Sequence, residues 1–176
     1  MFILCIDPGL VNLGYSYVNT STCQGLTIIK RNKVDLIMPG KTISDGVDKW
    51  ISDDPDIFKY SYKIVIERQP PTGAALVVQE LLYSKFKEKV ILLHPSTVAK
   101  YFGTIKCTYK DRKKANRIYA NQYFNIQESS FDICDSLCLS VYYFENIANK
   151  DTIFENFRCR IRKNPFEKFN YKNKNT

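Results

Sequence analysis

Histidine, tryptophan and long apolar runs are scarce in this sequence, which has one histidine and one tryptophan in 176 residues. The single histidine and six cysteines, none of them in a CxxC pair, exclude a zinc ribbon and a Cys2His2 site. No apolar run approaches the roughly 18 residues that a membrane span requires. The short apolar start lacks the charged segment of a signal peptide. We therefore interpret the cysteines as reduced, buried residues in a reducing intracellular compartment.

Positive charge is the most informative property of the composition. Lysine and arginine number 26 against 18 acidic residues, which gives a net charge of +8 and a pI near 9.1. This balance indicates a polyanionic partner, either nucleic acid or an anionic membrane surface. The length suits one domain with a single hydrophobic core, and we place that domain at residues 1–150.

Residues 151–176 form a basic, aromatic tail. From Arg158 onward, seven basic residues stand against one acidic residue, so this stretch carries six of the eight net positive charges. Two interpretations stay open. The tail is either a DNA arm, with cations on phosphates and rings on unpaired bases, or a structural strap whose phenylalanines dock on the body. The predicted phosphate contacts in it are Arg158, Arg160, Arg162 and Lys163.

Short apolar runs that end at turn residues predict five strands. They cover residues 2–6, 13–19, 25–33, 61–67 and 90–94. Helices are predicted over residues 42–51, 73–88, 96–101, 110–124 and 130–149, with a loop after the first and Ser96 as the cap of the third. The order predicts an α/β fold: a mixed five-stranded sheet with an antiparallel opening meander, a parallel continuation and flanking helices.

Four acidic residues stand where carboxylates can carry chemistry. Asp7 and Glu67 each end an apolar strand, and open α/β sheets place ligand sites at the carboxyl ends of their strands. Asp132 and Asp135 lie three residues apart, which puts them on one helix face, away from an apolar stripe. Plain alternatives exist: a turn residue for Asp7, an exposed strand end for Glu67, and a complement to the helix dipole for the pair.

Taken together, the four carboxylates predict a metal site. Oxygen ligands without a histidine or cysteine partner suit Mg²⁺, or Mn²⁺ in its place, and not zinc. Four acids close together without cations would repel one another strongly. Two divalent ions about 3.5–4 Å apart would neutralise them and clamp a phosphodiester for in-line attack by water.

A basic segment opens the helix predicted at residues 110–124. Cations at a helix start oppose the helix dipole, so Lys110, Arg112, Lys113 and Lys114 are more easily understood as phosphate contacts. The alternative is a solvated charged face.

The helix predicted at residues 73–88 is apolar over too broad a face for one-sided packing on a sheet. Its surplus apolar surface is a candidate interface for a two-fold dimer. The alternative is a fully buried core helix. For His94 and Trp50 we expect a structural and a packing role, respectively.

Three segments carry the four carboxylates in a specific order. They are Asp7-Pro8-Gly9 with Asn12 and Gly14, Val65-Ile66-Glu67-Arg68-Gln69-Pro70, and Asp132-Ile133-Cys134-Asp135-Ser136. In this order and spacing they resemble the RuvC-type Holliday junction resolvases of the RNase H-like superfamily. The run from Glu67 to Pro70 and the run from Tyr109 to Lys114 are most similar to the branch from poxviruses and other large DNA viruses. The resemblance covers residues 1–148.

The resemblance implies a homodimer that nicks four-way DNA junctions symmetrically, with two Mg²⁺ ions in each active site. Asp7 would bridge both ions, Glu67 would hold one, and Asp135 would hold the other with Asp132 beside it. The expected DNA contacts in the body are Arg68, Gln69, Lys110, Arg112, Lys113 and Lys114. A role in viral DNA recombination or concatemer resolution, in the host cytoplasm and away from membranes, is also implied.

Three other functions are alternatives to junction cleavage. An actin-like ATPase also begins with an aspartate on a strand, but it needs two such domains around its nucleotide, and 176 residues are too few. A nuclease of the same superfamily that processes ribosomal RNA shares the Asp-x-Gly start, although the helical acidic pair and the basic tail fit DNA junctions better. A non-catalytic junction-binding module would have no reason to hold four acids near phosphate.

Overall fold

The computed structural model describes residues 1–22 and 25–148, which fold around one sheet. The strands are β1 (Phe2–Asp7), β2 (Leu13–Thr22), β3 (Gly25–Val34), β4 (Ser61–Glu67) and β5 (Val90–Leu93). Their order across the sheet is β3-β2-β1-β4-β5. The β1–β2 and β2–β3 pairs are antiparallel, and the β1–β4 and β4–β5 pairs are parallel. The predicted mixed sheet, with its antiparallel opening and parallel continuation, is confirmed.

Helices flank the sheet on both faces. They are α1 (Ile43–Asp53), α2 (Pro55–Lys59), α3 (Leu76–Phe86), α4 (Pro95–Tyr101), α5 (Tyr109–Phe124) and α6 (Phe131–Asn146). The loop predicted after α1 contains α2, because Pro55 stands at a helix start, where its missing N–H costs nothing. Ser96 is not the cap of α4. The His94 ring instead accepts a hydrogen bond from the Ser96 N–H at 3.3 Å, which gives His94 a structural role.

We call α1, α2 and α3 the apolar layer, because aromatic rings fill the space between them and the sheet. Trp50 meets Phe58 edge-on at a ring-centroid distance of 4.9 Å, and Phe58 stacks on Phe86 at 5.1 Å. α1 begins with a capping box in which Thr42 and Asp45 satisfy each other's backbone N–H groups. Trp50 therefore has the packing role that the sequence predicts.

We call α4, α5 and α6 the site layer; its centre is α6. This helix is buried on every side from Ile133 to Val141, including Asp135, which is 7% exposed. Burial therefore extends beyond the predicted apolar stripe, whose residues lie in the core as expected. Its buried serines satisfy themselves, since Ser136 Oγ and Ser140 Oγ donate to carbonyl oxygens one turn back at 2.7 and 2.6 Å.

Each layer has one very close backbone contact that involves a glycine. A Cβ atom on Gly14 of β2 would lie 2.3 Å from the carbonyl carbon and oxygen of Asp132 in α6. A Cβ atom on Gly46 of α1 would lie 2.1 Å from the Leu36 carbonyl oxygen. Both distances are far inside van der Waals contact, so a side chain at either position would push backbone segments apart.

The cysteines are partly as predicted. Cys5, Cys134 and Cys138 are buried and not disulfide-bonded. Cys107 is exposed, because its N–H closes a surface turn onto the Thr104 carbonyl oxygen at 3.0 Å. The other two cysteines, and the tail with its predicted phosphate contacts, lie outside the described residues. Within the described ranges, no helix has both the length and the apolar character needed to cross a membrane.

Candidate active site

The carboxylates of Asp7 and Glu67 meet at one edge of the sheet. Each is the last residue of its strand, and β1 and β4 are parallel neighbours, with Ile6 paired to Ile66. The carboxyl ends of both strands therefore reach the same edge together, as the sequence predicts. This is the point where the sheet changes from antiparallel to parallel pairing.

Asp132 and Asp135 reach the same place from α6. Ser130 caps this helix by accepting a hydrogen bond from the Ile133 N–H at 3.4 Å, and the close contact at Gly14 holds its first turn against β2. All four predicted carboxylates consequently line one cleft of about 460 Å³. The cleft is also lined by Gln69, Arg112, Lys113 and Asn116.

Burial makes these carboxylates reluctant to ionise. Burial, followed by the negative charge of Glu67, raises the pKa of Asp7 well above its usual range. Burial and the nearby Asp135 raise the pKa of Glu67 to about 7. Burial also raises the pKa of Asp135. A cation that enters such a cluster therefore strongly stabilises the ionised carboxylates.

Lys113 of α5 supplies a cation to this cluster. Its Nζ lies 3.4 Å from Asp7 Oδ2 and 3.4 Å from Asp132 Oδ1, and it forms a third ion pair with Asp135 Oδ2. Burial acts to lower the pKa of Lys113, but the carboxylates of Asp7 and Asp135 outweigh it and raise that pKa above its usual range. The ammonium group is therefore charged at every physiological pH.

Asn116 is a site residue that sequence reasoning missed. It lies three residues after Lys113, on the same face of α5, and its Nδ2 donates to Asp135 Oδ1 at 2.8 Å. Lys113 and Asn116 thus contact the two oxygens of one carboxylate. The signal that could have identified this face is Ala120, a small buried residue one further turn along the helix.

The predicted DNA contacts in the body have different positions in the structure. Arg112 lines the cleft and lies over the Tyr109 ring, whereas Lys110 and Lys114 are exposed without lining it. Cations at the start of α5 are balanced by Asp111, whose N–H donates to the capping Thr108 hydroxyl. Lys113 is thus the member of the basic segment that faces the carboxylates.

Arg68 and Gln69 follow Glu67 directly. The Arg68 side chain is exposed, and its N–H extends the β4–β5 pairing by donating to the Leu93 carbonyl oxygen at 2.8 Å. Gln69 Nε2 donates to the Glu67 carbonyl oxygen at 3.1 Å, and the Gln69 N–H donates to the buried Gln79 side chain at 2.7 Å. Gln69 therefore holds the end of β4 in place, which is a role that the sequence did not suggest.

The donor set of the cleft fits a hard divalent cation. It consists of carboxylate and amide oxygens, with no histidine or cysteine among the cleft residues. The Lys113 ammonium shows that the cleft accepts a cation, since its Nζ contacts three of the four carboxylates. With Lys113 in this position, no three acidic, histidine or cysteine side chains of residues 1–22 and 25–148 are arranged to ligate one metal ion.

Comparisons with known proteins show the fold of this chain. No protein-family model and no curated protein sequence matches it. The Thermus thermophilus RuvC structure has a TM-score of 0.61 and 15% identity, and the match covers 81% of this chain and 95% of that one. The fowlpox virus resolvase in complex with Holliday junction DNA has a TM-score of 0.62 and 19% identity, over 82% and 97%. The yeast mitochondrial Holliday junction resolvase Ydc2 has a TM-score of 0.57 and 14% identity, over 81% and 78%.

The resemblance to RuvC-type resolvases is thus confirmed at the level of the fold. The matched structures belong to a bacterial, a viral and a mitochondrial protein, so no single lineage is singled out.

Proposed function

We propose that this protein is a metal-dependent endonuclease that resolves four-way DNA junctions by paired, symmetric nicks. The observation that carries the proposal is the convergence of Asp7, Glu67, Asp132 and Asp135 on one cleft at the carboxyl edge of the sheet. These residues come from three separate elements, and burying them together is costly unless cations join them. An arrangement that is costly for folding is understood most simply as one that serves catalysis.

The fold comparisons support DNA junctions as the substrate class. Two of the similar structures, from fowlpox virus and Thermus thermophilus, contain Holliday junction DNA. In this chain, Arg112 lines the cleft and the exposed Lys110 and Lys114 flank it, which suits a polyanionic backbone approaching from that side.

The residues of the cleft divide the chemical work. Mg²⁺, or Mn²⁺ in its place, would activate water and neutralise charge on the scissile phosphate, with two ions in each site. Asp7 interacts electrostatically with Glu67, Asp135 and Asp132, which supports a role for it in contacting both ions. Glu67 would hold one ion, and Asp135 with Asp132 would hold the other. Asn116 would keep the Asp135 carboxylate oriented.

We extend the proposal to a homodimer, because two symmetric nicks in a four-way junction require two sites related by two-fold symmetry. α3 supports this arrangement. Val78 and Leu82 are buried against the core, while Val77 on the same helix is 50% exposed and Leu76 and Leu81 are partly exposed. Sedimentation should give the mass of a dimer, and a monomer both with and without junction DNA would contradict this part.

We extend the proposal to viral DNA recombination or concatemer resolution in the cytoplasm of a host cell. The runs from Glu67 to Pro70 and from Tyr109 to Lys114 are most similar to the viral branch, and a fowlpox virus resolvase is among the similar structures. The basic tail would then add contacts to phosphates through Arg158, Arg160, Arg162 and Lys163, as the sequence predicts.

The test is cleavage of four substrates by the full chain in Mg²⁺: a four-way junction, the matching duplex, a DNA–RNA hybrid and a structured RNA. We expect paired nicks in the junction. Asp7→Asn should slow cleavage by at least about 1,000-fold while junction affinity is kept. Asp53→Asn is the matched control, because Asp53 lies on α1 in the apolar layer and its side chain is 58% exposed.

Other outcomes separate the alternatives. Preferred cleavage of either RNA-containing substrate would indicate an RNA-processing nuclease. Tight junction binding without cleavage in Mg²⁺ or Mn²⁺ would indicate a non-catalytic module. Normal turnover by Asp7→Asn would remove the carboxylate cleft from the chemistry.

A further inference from the structure

We propose that Lys113 is an exchangeable counter-ion, which holds the carboxylates of the metal-free cleft and passes to a substrate phosphate when DNA binds. Metal ions and DNA then bind cooperatively, because the move of one ammonium group favours both. This inference rests on the proposed function, since it concerns the order in which the same site assembles.

The contacts of the ammonium group are the first argument. Its three ion pairs, to Asp7, Asp132 and Asp135, match the three hydrogens that a lysine ammonium can donate. The Lys113 side chain is 15% exposed, so it is enclosed by the cleft. Lys113 thus does for the resting protein what a metal ion would otherwise do: it allows acids from the sheet and from α6 to lie side by side.

Mutual exclusion is the second argument. The Lys113 ammonium contacts the same carboxylate oxygens that a divalent ion would need, and the two cations would repel each other in a poorly hydrated cleft. The arrangement is a competition between two cations for one set of oxygens.

The third argument is that the Lys113 side chain is able to leave the cleft. Lysine carries its charge on a flexible four-carbon stem, so Lys113 Nζ can move several ångströms without a shift of α5. The Tyr109 ring lies 5.7 Å from this Nζ, lines the cleft and is 67% exposed, so it offers the cation a favourable surface toward solvent. A phosphate that enters the cleft beside Arg112 supplies the new anionic partner.

Reciprocity follows from these three points. If bound DNA draws Lys113 away from the carboxylates, then DNA raises the metal affinity by the same factor by which the metal raises DNA affinity. The free protein should therefore bind divalent ions weakly and bind them well only when DNA is present.

The first experiment measures Mn²⁺ binding to the free protein by electron paramagnetic resonance, with Lys113→Met compared to the wild type. We expect Lys113→Met to bind Mn²⁺ at least about tenfold more tightly, because the competing cation is gone. Lys114→Met is the matched control: Lys114 is the next residue on the same helix, and its substitution removes the same charge from an exposed position. It should change Mn²⁺ affinity by less than about twofold, because exposed charges are screened.

The second experiment measures junction affinity with Ca²⁺ and with EDTA, the DNA being checked on a gel to be uncut. Ca²⁺ should raise wild-type junction affinity by at least about fivefold more than it raises that of Lys113→Met, in which only the direct contact between the ion and a phosphate remains. The proposal would be overturned by equal or weaker Mn²⁺ binding by Lys113→Met, or by an equal gain in Mn²⁺ affinity in Lys114→Met. It would also be overturned by a Ca²⁺ effect on junction affinity that is as large in Lys113→Met as in the wild type.

If Lys113→Met fails to fold, its response to Mn²⁺ still tests the proposal. If Lys113→Met unfolds without metal, Mn²⁺ should restore its fold, because the ion replaces the missing ammonium; failure to restore the fold would overturn the proposal. The two proposals fail separately. A Lys113-dependent Mn²⁺ affinity in a protein that cuts no junction would contradict only the proposed function, and junction cleavage without any Lys113 effect on Mn²⁺ would contradict only the exchange.

Discussion

The apolar layer and the site layer cover opposite faces of the same sheet with very different interiors. In the apolar layer, Trp50, Phe58 and Phe86 form a continuous series of ring contacts. In the site layer, the central helix buries Asp135, Ser136 and Ser140. Each layer has one very close backbone contact that involves a glycine. Among the described residues, however, the site layer alone has a buried charged residue on its helices, Asp135.

The difference shows where this fold tolerates polar burial. Aromatic burial stabilises a fold in proportion to the area removed from water. The rings of the apolar layer pack in one hydrophobic core and stabilise the fold in this way. The cleft beside the site layer instead brings together Asp7, Glu67 and Asp135, whose burial disfavours their ionisation. It also holds the Lys113 ammonium, whose charge is favoured by the nearby carboxylates. Apolar packing stabilises both faces of the sheet, since Ile3, Val65 and Leu139 are buried on the side of the site layer. The carboxylate cleft is what distinguishes that side.

Paired glycine substitutions should break this comparison with the largest effect. Gly14→Ala forces β2 away from the backbone of Asp132, and Gly46→Ala forces α1 away from Leu36. Both should lower the free energy of unfolding by about 2–4 kcal/mol, as overpacking against backbone does. Only Gly14→Ala should also reduce junction cleavage per folded molecule, by at least about 100-fold, because it displaces the first turn of α6.

The measurement pairs urea unfolding with cleavage at protein concentrations corrected for the folded fraction. Gly46→Ala serves as the control for lost stability, with cleavage expected within about threefold of the wild type. Equal loss of cleavage in both variants would mean that the two layers are not separable.

Neutralising Glu67 should sharpen the comparison, since it removes a destabilising charge from the cleft beside the site layer. The pKa of Glu67 rises from 4.5 to about 7 on folding, so its ionisation opposes folding. The folded state is therefore relatively favoured below the unfolded pKa, and this advantage is lost as the pH rises through about 7. At about pH 8 without metal, Glu67→Gln should be more stable than the wild type by up to about 3 kcal/mol.

At about pH 4, where Glu67 is protonated in both states, the stability difference should be close to zero. Urea unfolding at both pH values, in EDTA, gives the measurement. Glu80→Gln is the control, because Glu80 is exposed on α3 in the apolar layer. A Glu67→Gln protein that is less stable than the wild type at the higher pH would contradict the expected sign.

Removing the Asn116 amide should have the smallest effect. Asn116→Ala leaves one oxygen of Asp135 without its donor but keeps every carboxylate in place. The Mg²⁺ concentration for half-maximal cleavage should rise about tenfold, which is typical of residues that orient a metal ligand, while junction affinity stays unchanged. Asn116→Gln, which keeps an amide donor, should recover part of the loss.

Asn146→Ala is the matched control for Asn116→Ala, since the Asn146 amide donates to the Tyr142 carbonyl oxygen at the far end of α6. An equal Mg²⁺ shift in both variants would show that Asn116 acts through general stability and not through Asp135.

Much of the fold and the four carboxylates could be predicted from the sequence, for one physical reason. Asp7 and Glu67 end apolar runs, and the parallel pairing of those runs brings their carboxyl ends together. Lys113 could not be singled out from its basic neighbours, because charge alone does not reveal which side of α5 faces α6. That rotation is set by packing around Ala120, which is fully buried.

The other differences between the predictions and the structure also arise from tertiary contacts. Burial of α6 is broader than its sequence pattern predicts, because the helix packs between the sheet and α5. Asp132 and Asp135 nevertheless share the side of the helix that lines the cleft, as predicted. Gly14 belongs to a motif that was visible in the sequence, but its role depends on a contact with Asp132, far along the chain. Sequence patterns encode the faces of single elements, and they do not encode which backbone segments touch.

The order of strands in the sheet has a consequence for how the molecule folds. β1, β2 and β3 pair with their neighbours in the chain, whereas β1 pairs with β4 only after the two intervening helices have been made. Local pairings close quickly and distant ones slowly, so the opening meander forms first and α6 docks on it late. Asp7 is then present from the earliest stage without Asp132 and Asp135. A chain still being synthesised can expose its basic helix to DNA, but it holds no complete set of carboxylates with which to cut.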